Sequence, residues 1–289
     1  MKAIIEIREK IRTHWVGDGF PVKTMFSYAG DTQLCSPFLL LDYAGPHIFE
    51  PSSVPRGVGE HPHRGFQTVS IIYQGELEHR DSSGHQGILG PGDVQWMSAG
   101  QGVVHEEFHS QSFTKDGGPF EMVQLWVNLP AAQKMSPATY QDIRAEAIPQ
   151  IPLEDGVIRV IAGTYGQHVG PAKTETSIQI LDLKMGRGFS TSLGARDGNS
   201  AILLVRSGKI LVNEKEILTA GELAIFDHKK ASIHIQVQET FEGLFLCGEP
   251  IEEPVVGHGP FVMNSEAEII QAVQDYREGK MGKLVDSGN

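Results

Sequence analysis

A chain of 289 residues with 40% apolar and 21% charged side chains is long enough to bury one large core or two ordinary ones. Its 36 acidic against 24 basic residues give a formal net charge of −12, and no run of Lys or Arg offsets it. Direct nucleic-acid binding, which needs a concentrated basic footprint, and attraction to an anionic membrane are both disfavoured.

The first ten residues carry charges where a secretory signal would need an uninterrupted apolar run, and no stretch approaches the ~20 apolar residues of a membrane span. The cytoplasm is the expected compartment, with the nucleus also open to a eukaryotic chain. Cys35 and Cys247 lie in different halves, in no metal-like spacing, and read as buried or free thiols. The first chemically loaded segment is His61-Pro62-His63. Side chains two apart on a strand point to one face, so the two imidazoles project together.

From residue 65 to 127, short β-branched or apolar runs alternate with glycine. Strands are expected over 68–73, 77–80, 87–89, 94–97, 103–105 and 121–127, with turns at 81–84 and 90–93. Many short strands with regular turn signals mean a sandwich or a barrel. His105-Glu106-Glu107 ends one run and projects His105 and Glu107 to a common face. Two such pairs on facing strands supply three imidazoles and a carboxylate. That set suits Fe, Mn, Ni, Cu or Zn and contains no thiolate, so it reads as a working site with open positions rather than a structural one. Arg64 and Glu106 alternate to the opposite faces and read as ion-pairing residues. His109 shares the parity of His105 and is expected to be solvated. Phe66, Trp96, Met97 and Phe108 are expected to pack the barrel, those facing inward forming an apolar pocket wall.

Residues 129–152 hold four prolines and read as a linker with a short helix over 137–144. The pattern then repeats. Strands are expected over 177–183, 201–206, 210–212 and 223–226, with a turn at Ser207-Gly208, and Ala220-Gly221-Glu222 stands where Pro91-Gly92-Asp93 stood. His228 and His234 have no carboxylate at strand spacing and read as surface or core histidines. A helix is expected after Ser265, with Glu268 at capping-box spacing, an apolar stripe of Ile269, Ile270, Val273 and Tyr276, and Gly279 at its end.

The order His61-x-His63, Pro91-Gly92-Asp93, Gly102-x-x-His105 resembles the two motifs of cupins. The fuller strings His61-Pro62-His63-Arg64-Gly65-Phe66, Leu77-Glu78-His79-Arg80-Asp81-Ser82, residues 91–100 and residues 102–107 are similar to those of the pirin family. Agreement at residues 37–42, 125–130 and 254–264 extends the resemblance over nearly the whole chain. It implies an all-β fold of two tandem cupin (double-stranded β-helix, jelly-roll) barrels with a C-terminal helix. A metal-binding domain would occupy residues 1–130, and a metal-free domain residues 131–289. It implies one divalent ion on His61, His63, His105 and Glu107, iron first, with Ni, Cu, Mn or Zn compatible. Gln67 departs from the glutamate found there in cupins and many pirins.

Two functions follow from the resemblance. One is a dioxygenase that acts on a small flavonol-type (quercetin-like) aromatic and dioxygen, with Glu107 accepting the phenolic proton. The other is a redox-sensing regulator whose iron state alters its grip on a protein partner, a transcription factor or a metabolic enzyme. An acidic chain would do so through protein contact, not by touching DNA.

Overall fold

The computed structural model describes residues 1–284. Contacts group them into two compact units. One comprises residues 12–30, 38–145 and 252 onward; the other comprises residues 1–11, 31–37 and 146–251. A linear cut at residue 130 therefore differs from the contact grouping. The amino-terminal strand belongs with the later barrel, and the C-terminal helix with the earlier one.

In the first unit, seven strands run in the order His14–Val16, Phe20–Ser27, Phe38–Phe49, Gly118–Asn128, Phe66–Gln74, Val94–Ser98 and Thr139–Ile143, all antiparallel. A second sheet orders Gly57–His63, Val103–His109, Leu77–Asp81 and Gln86–Leu89. An interior cluster that includes Phe20, Ile72, Leu77, Phe113, Phe120 and Met122 draws on strands of both sheets. Gly65 joins the two: at φ +86° a Cβ there would meet the Val262 carbonyl oxygen at 2.1 Å, so only glycine fits the reversal after His63.

Residues 137–144 form no helix. Thr139–Ile143 is an edge strand paired with Val94–Ser98, as its β-branched and aromatic residues after Pro137 favour.

The C-terminal helix spans Glu266–Arg277, with the Ser265 hydroxyl accepting from the Glu268 N–H. Its buried face is Ile269, Ala272 and Asp275, packed with Val104, Phe261 and Met263; Ile270 is exposed, so the expected stripe is corrected by part of a turn.

The second unit holds a nine-stranded sheet wrapped around an apolar cluster that includes Ile158, Leu183, Leu203, Phe226, Phe241 and Phe245, and a two-stranded one of Thr164–Tyr165 and His168–Val169. Ile4–Arg8 forms its edge against Leu223–Phe226. Ser207-Gly208 makes no turn: Ser200–Val212 is one strand with register shifts there, Gly208 taking φ +81°. Large apolar side chains fill the interior. His228 Nε2 bonds Ser200 and the Leu34 carbonyl, His234 bonds Ser190 and Ser192, and among the described residues neither joins a cluster of ligand-type side chains. Among the described residues no helix is long and apolar enough to cross a membrane.

Candidate metal centre

Gly57–His63 and Val103–His109 are neighbouring strands, and His61 is the direct partner of His105, with His63 opposite Val103. Alternation turns all three imidazoles inward, with ring centroids 4.3–4.9 Å apart. One donor atom from each lies within 4.8 Å of the others. Glu107 stands outside that set. The register slips by one residue between His105 and Glu107, so Glu107 pairs with Val58, and its side chain joins His61 and His63 on the wall of a shared cavity. The structure thus unites the three expected histidines and places the expected carboxylate beside them.

The donor chemistry fits a cation. His61 Nδ1 donates to the Gly59 carbonyl at 2.8 Å, which leaves Nε2 with a free lone pair. His63 bonds the Pro260 carbonyl and leaves Nδ1 buried and unpartnered, while both nitrogens of His105 are buried without a partner. Buried polar atoms are nearly always bonded, so orphaned nitrogens on mutually touching rings point to a group between them. Burial, and then the neighbouring imidazoles, push His63 and His105 well below the usual histidine value, and His61 is lowered by burial too. Each of these shifts favours the neutral imidazole, the form a metal requires. Burial pushes the Glu107 carboxyl up to about 7, only partly offset by the Ser70 hydroxyl 3.4 Å from its Oε1.

The cavity holds about 380 Å³, within the ~300–1,000 Å³ typical of small-ligand sites. Its apolar wall is Phe20, Val22, Ala44, Met122 and Trp126. None of the aromatic residues singled out in the sequence lines this wall. Phe66, Trp96 and Met97 are core residues, Phe66 packing on His63 and Trp126, and half-buried Phe108 lines a different pocket. His109 is corrected as well. It is buried, bonds the Gly19 carbonyl at 3.0 Å and packs on Phe49 and Phe120. Arg64 and Glu106 pair with Asp275 and Arg80, as expected of residues facing away from the centre. Gln67 is buried on the face shared with Val69 and Ile71, opposite the one that carries Ser70. Ser70 itself carried no sequence signal, being one hydroxyl in an otherwise ordinary strand.

Residues 19–127 match the family model described as Pirin, and residues 180–282 match the Pirin C-terminal cupin domain. A Pseudomonas aeruginosa protein named provisionally as a quercetin 2,3-dioxygenase is 47% identical over 97% of this chain and 98% of its own length. A crystal structure described as quercetin 2,3-dioxygenase from Acinetobacter baumannii is 46% identical, with a TM-score of 0.96 over 99% of this chain and 100% of that one. A bacterial pirin from Escherichia coli, solved with nickel(II), shares the fold at TM-score 0.65 and 18% identity, covering 85% and 99% of the two chains. Two matched domains, two β-barrels and a cluster of three histidines in the first agree: the chain belongs to the pirin family of two-barrel cupins.

Proposed function

We propose that this protein is a metal-dependent dioxygenase that opens a flavonol-type ring, with His61, His63 and His105 holding one ion. Glu107 would either complete the ion's shell or take the substrate's proton. The observation that carries this reading is the meeting of three clustered imidazoles, two of them with buried unpartnered nitrogens, with an apolar cavity of about 380 Å³. When bound, a redox-capable divalent ion, iron before Ni, Cu or Mn, would supply electron transfer between an aromatic substrate and dioxygen.

The remaining chemistry belongs to the chain. Phe20, Met122 and Trp126 cover a planar ring and exclude water from it. Glu107, raised to about 7 by burial, is matched to accept a phenolic proton near neutral pH, with Ser70 Oγ 3.4 Å from its Oε1. Relatives that carry the quercetin dioxygenase name support the substrate class.

The test is aerobic incubation of iron-, nickel- and copper-loaded protein with quercetin while the flavonol absorbance is followed. No loss of absorbance in any metal form would refute the assignment. The regulatory alternative rests on the family resemblance alone, and identical captured partners for native protein and His61→Ala would count against it. The cytoplasm is the compartment we propose for either role.

A further inference from the structure

The cavity has a second polar feature, on the wall opposite the histidines' sheet. Thr24, Asp42, Gln124 and Ser70 lie on four adjacent strands as direct partners: Thr24 opposite Asp42, Asp42 opposite Gln124, Gln124 opposite Ser70. Strand alternation puts them on the face that carries Val22, Ala44 and Met122 into the cavity. Beyond His61, His63 and Glu107, the polar side chains on the cavity wall among the described residues are Asp42 and Gln124.

The row is bonded along its length in a way that fixes what each end offers. Thr24 Oγ1 donates to Asp42 Oδ1 at 2.5 Å, and Ser70 Oγ donates to Gln124 Oε1 at 2.7 Å. Those bonds take one oxygen of Asp42 and the oxygen of Gln124. What remains for the cavity is complementary: an acceptor, Asp42 Oδ2, beside a donor, Gln124 Nε2. They sit on paired positions whose Cβ atoms are ~4.5–5.5 Å apart in an antiparallel sheet. A single hydroxyl group satisfies both, donating to the carboxylate and accepting from the amide. Ser70 Oγ also lies 3.4 Å from Glu107 Oε1, so this pair and the metal centre belong to one continuous surface.

We propose that Asp42 and Gln124 form a hydroxyl-reading subsite. It selects aromatic substrates that carry a ring hydroxyl remote from the end that meets the metal, that is, polyphenols over unsubstituted aromatics. The subsite rests on reading the cavity as the place of an aromatic substrate, and it fixes that substrate's orientation. A buried acceptor and donor left unmatched by an apolar ring lose their bonds to water with no replacement, which is how a polar pair rejects the wrong ligand.

Anaerobic binding of quercetin and of 3-hydroxyflavone to metal-loaded protein tests it. The two share the same 3-hydroxy-4-keto end and differ in their other ring hydroxyls. Native protein is expected to bind quercetin about tenfold more tightly, the worth of one good hydrogen bond to a charged group. Asp42→Asn, which turns the acceptor into a second donor, and Gln124→Met, which removes the donor, are each expected to weaken quercetin more than 3-hydroxyflavone. That brings the ratio to within about twofold. Metal content and thermal melting of each variant report that the barrel is intact. Equal affinities in the native protein, or a preference that survives both variants, overturn the subsite even if both flavonols are consumed in air. A preference without turnover leaves the subsite standing and removes the dioxygenase reading. Failure of either flavonol to bind overturns both.

Discussion

Replacing Asp275 with alanine is expected to destabilise the first barrel by far more than a surface ion pair would. Asp275 lies on the inner face of the C-terminal helix and accepts from Arg64 Nη1 at 2.8 Å, Gln271 Nε2 at 2.8 Å and Lys280 Nζ at 3.0 Å. Arg64 is 4% exposed and follows His63 directly; its Nε also donates to the Gln101 carbonyl. Removing the carboxylate leaves a guanidinium buried and half-satisfied, which costs about 3–5 kcal/mol when one partner of a buried pair is lost. At ~2–4 °C per kcal/mol that is a fall in Tm on the order of 10 °C. The double variant Arg64→Met with Asp275→Leu removes both charges and is expected to recover most of the loss. The same bonds, led by Arg64, hold the Asp275 carboxyl well below its usual 3.8. A depressed folded-state value means the contribution is complete above pH ~4 and is lost as acid protonates the group. Urea melts of the three proteins, followed by circular dichroism, decide the matter. A loss under about 1 kcal/mol for Asp275→Ala would refute the reasoning, as would a double variant no better than the single one.

Three further outcomes follow from the site. Because burial raises Glu107 to about 7 and a cation favours its ionised form, metal uptake should release close to one proton at pH 6 and almost none at pH 8; calorimetry in buffers of different ionisation heat reads this, and Glu107→Gln should abolish the difference. In metal-free protein the sign is the reverse of the Asp275 case. A raised carboxyl contributes stability at low pH that is lost as pH climbs through about 7, so metal-free melts should fall across that window and Glu107→Gln melts should not. Lys134 is buried with its ammonium donating to the Gly65 and Val262 carbonyls and to Asn128 Oδ1, so Lys134→Met should cost about 3 kcal/mol by urea titration through three abandoned acceptors.

Much of the first barrel was legible because its strands are short and bounded by glycine turns: Val94–Ser98 and Gln86–Leu89 fall within a residue or two of their sequence readings. The histidine pairs were legible for a simpler reason, since period-two projection holds on any strand. Period alone said nothing of the register slip that separates Glu107 from the histidine set, because a bulge is a property of two paired strands. The cavity wall was missed for a related cause. Phe38–Phe49 and Gly118–Asn128 are buried on both faces, so they read as nearly continuous apolar runs in which Asp42 and Gln124 look incidental. Their pairing exists only across the sheet. His109 reads as solvated because its burial depends on Phe49 and Phe120, which close over it from two other strands. The strand Ile4–Arg8 was likewise invisible as part of the later barrel, since its partner Leu223–Phe226 lies some two hundred residues away.

Elemental analysis of protein purified without a histidine tag or nickel column tests the metal centre most directly. Native protein should carry about one transition-metal ion per chain, and His61→Ala and His105→Ala, still folded by circular dichroism, should carry almost none. Equal metal in native and variant proteins, or none in native protein offered each candidate ion, would contradict the assignment of these three histidines.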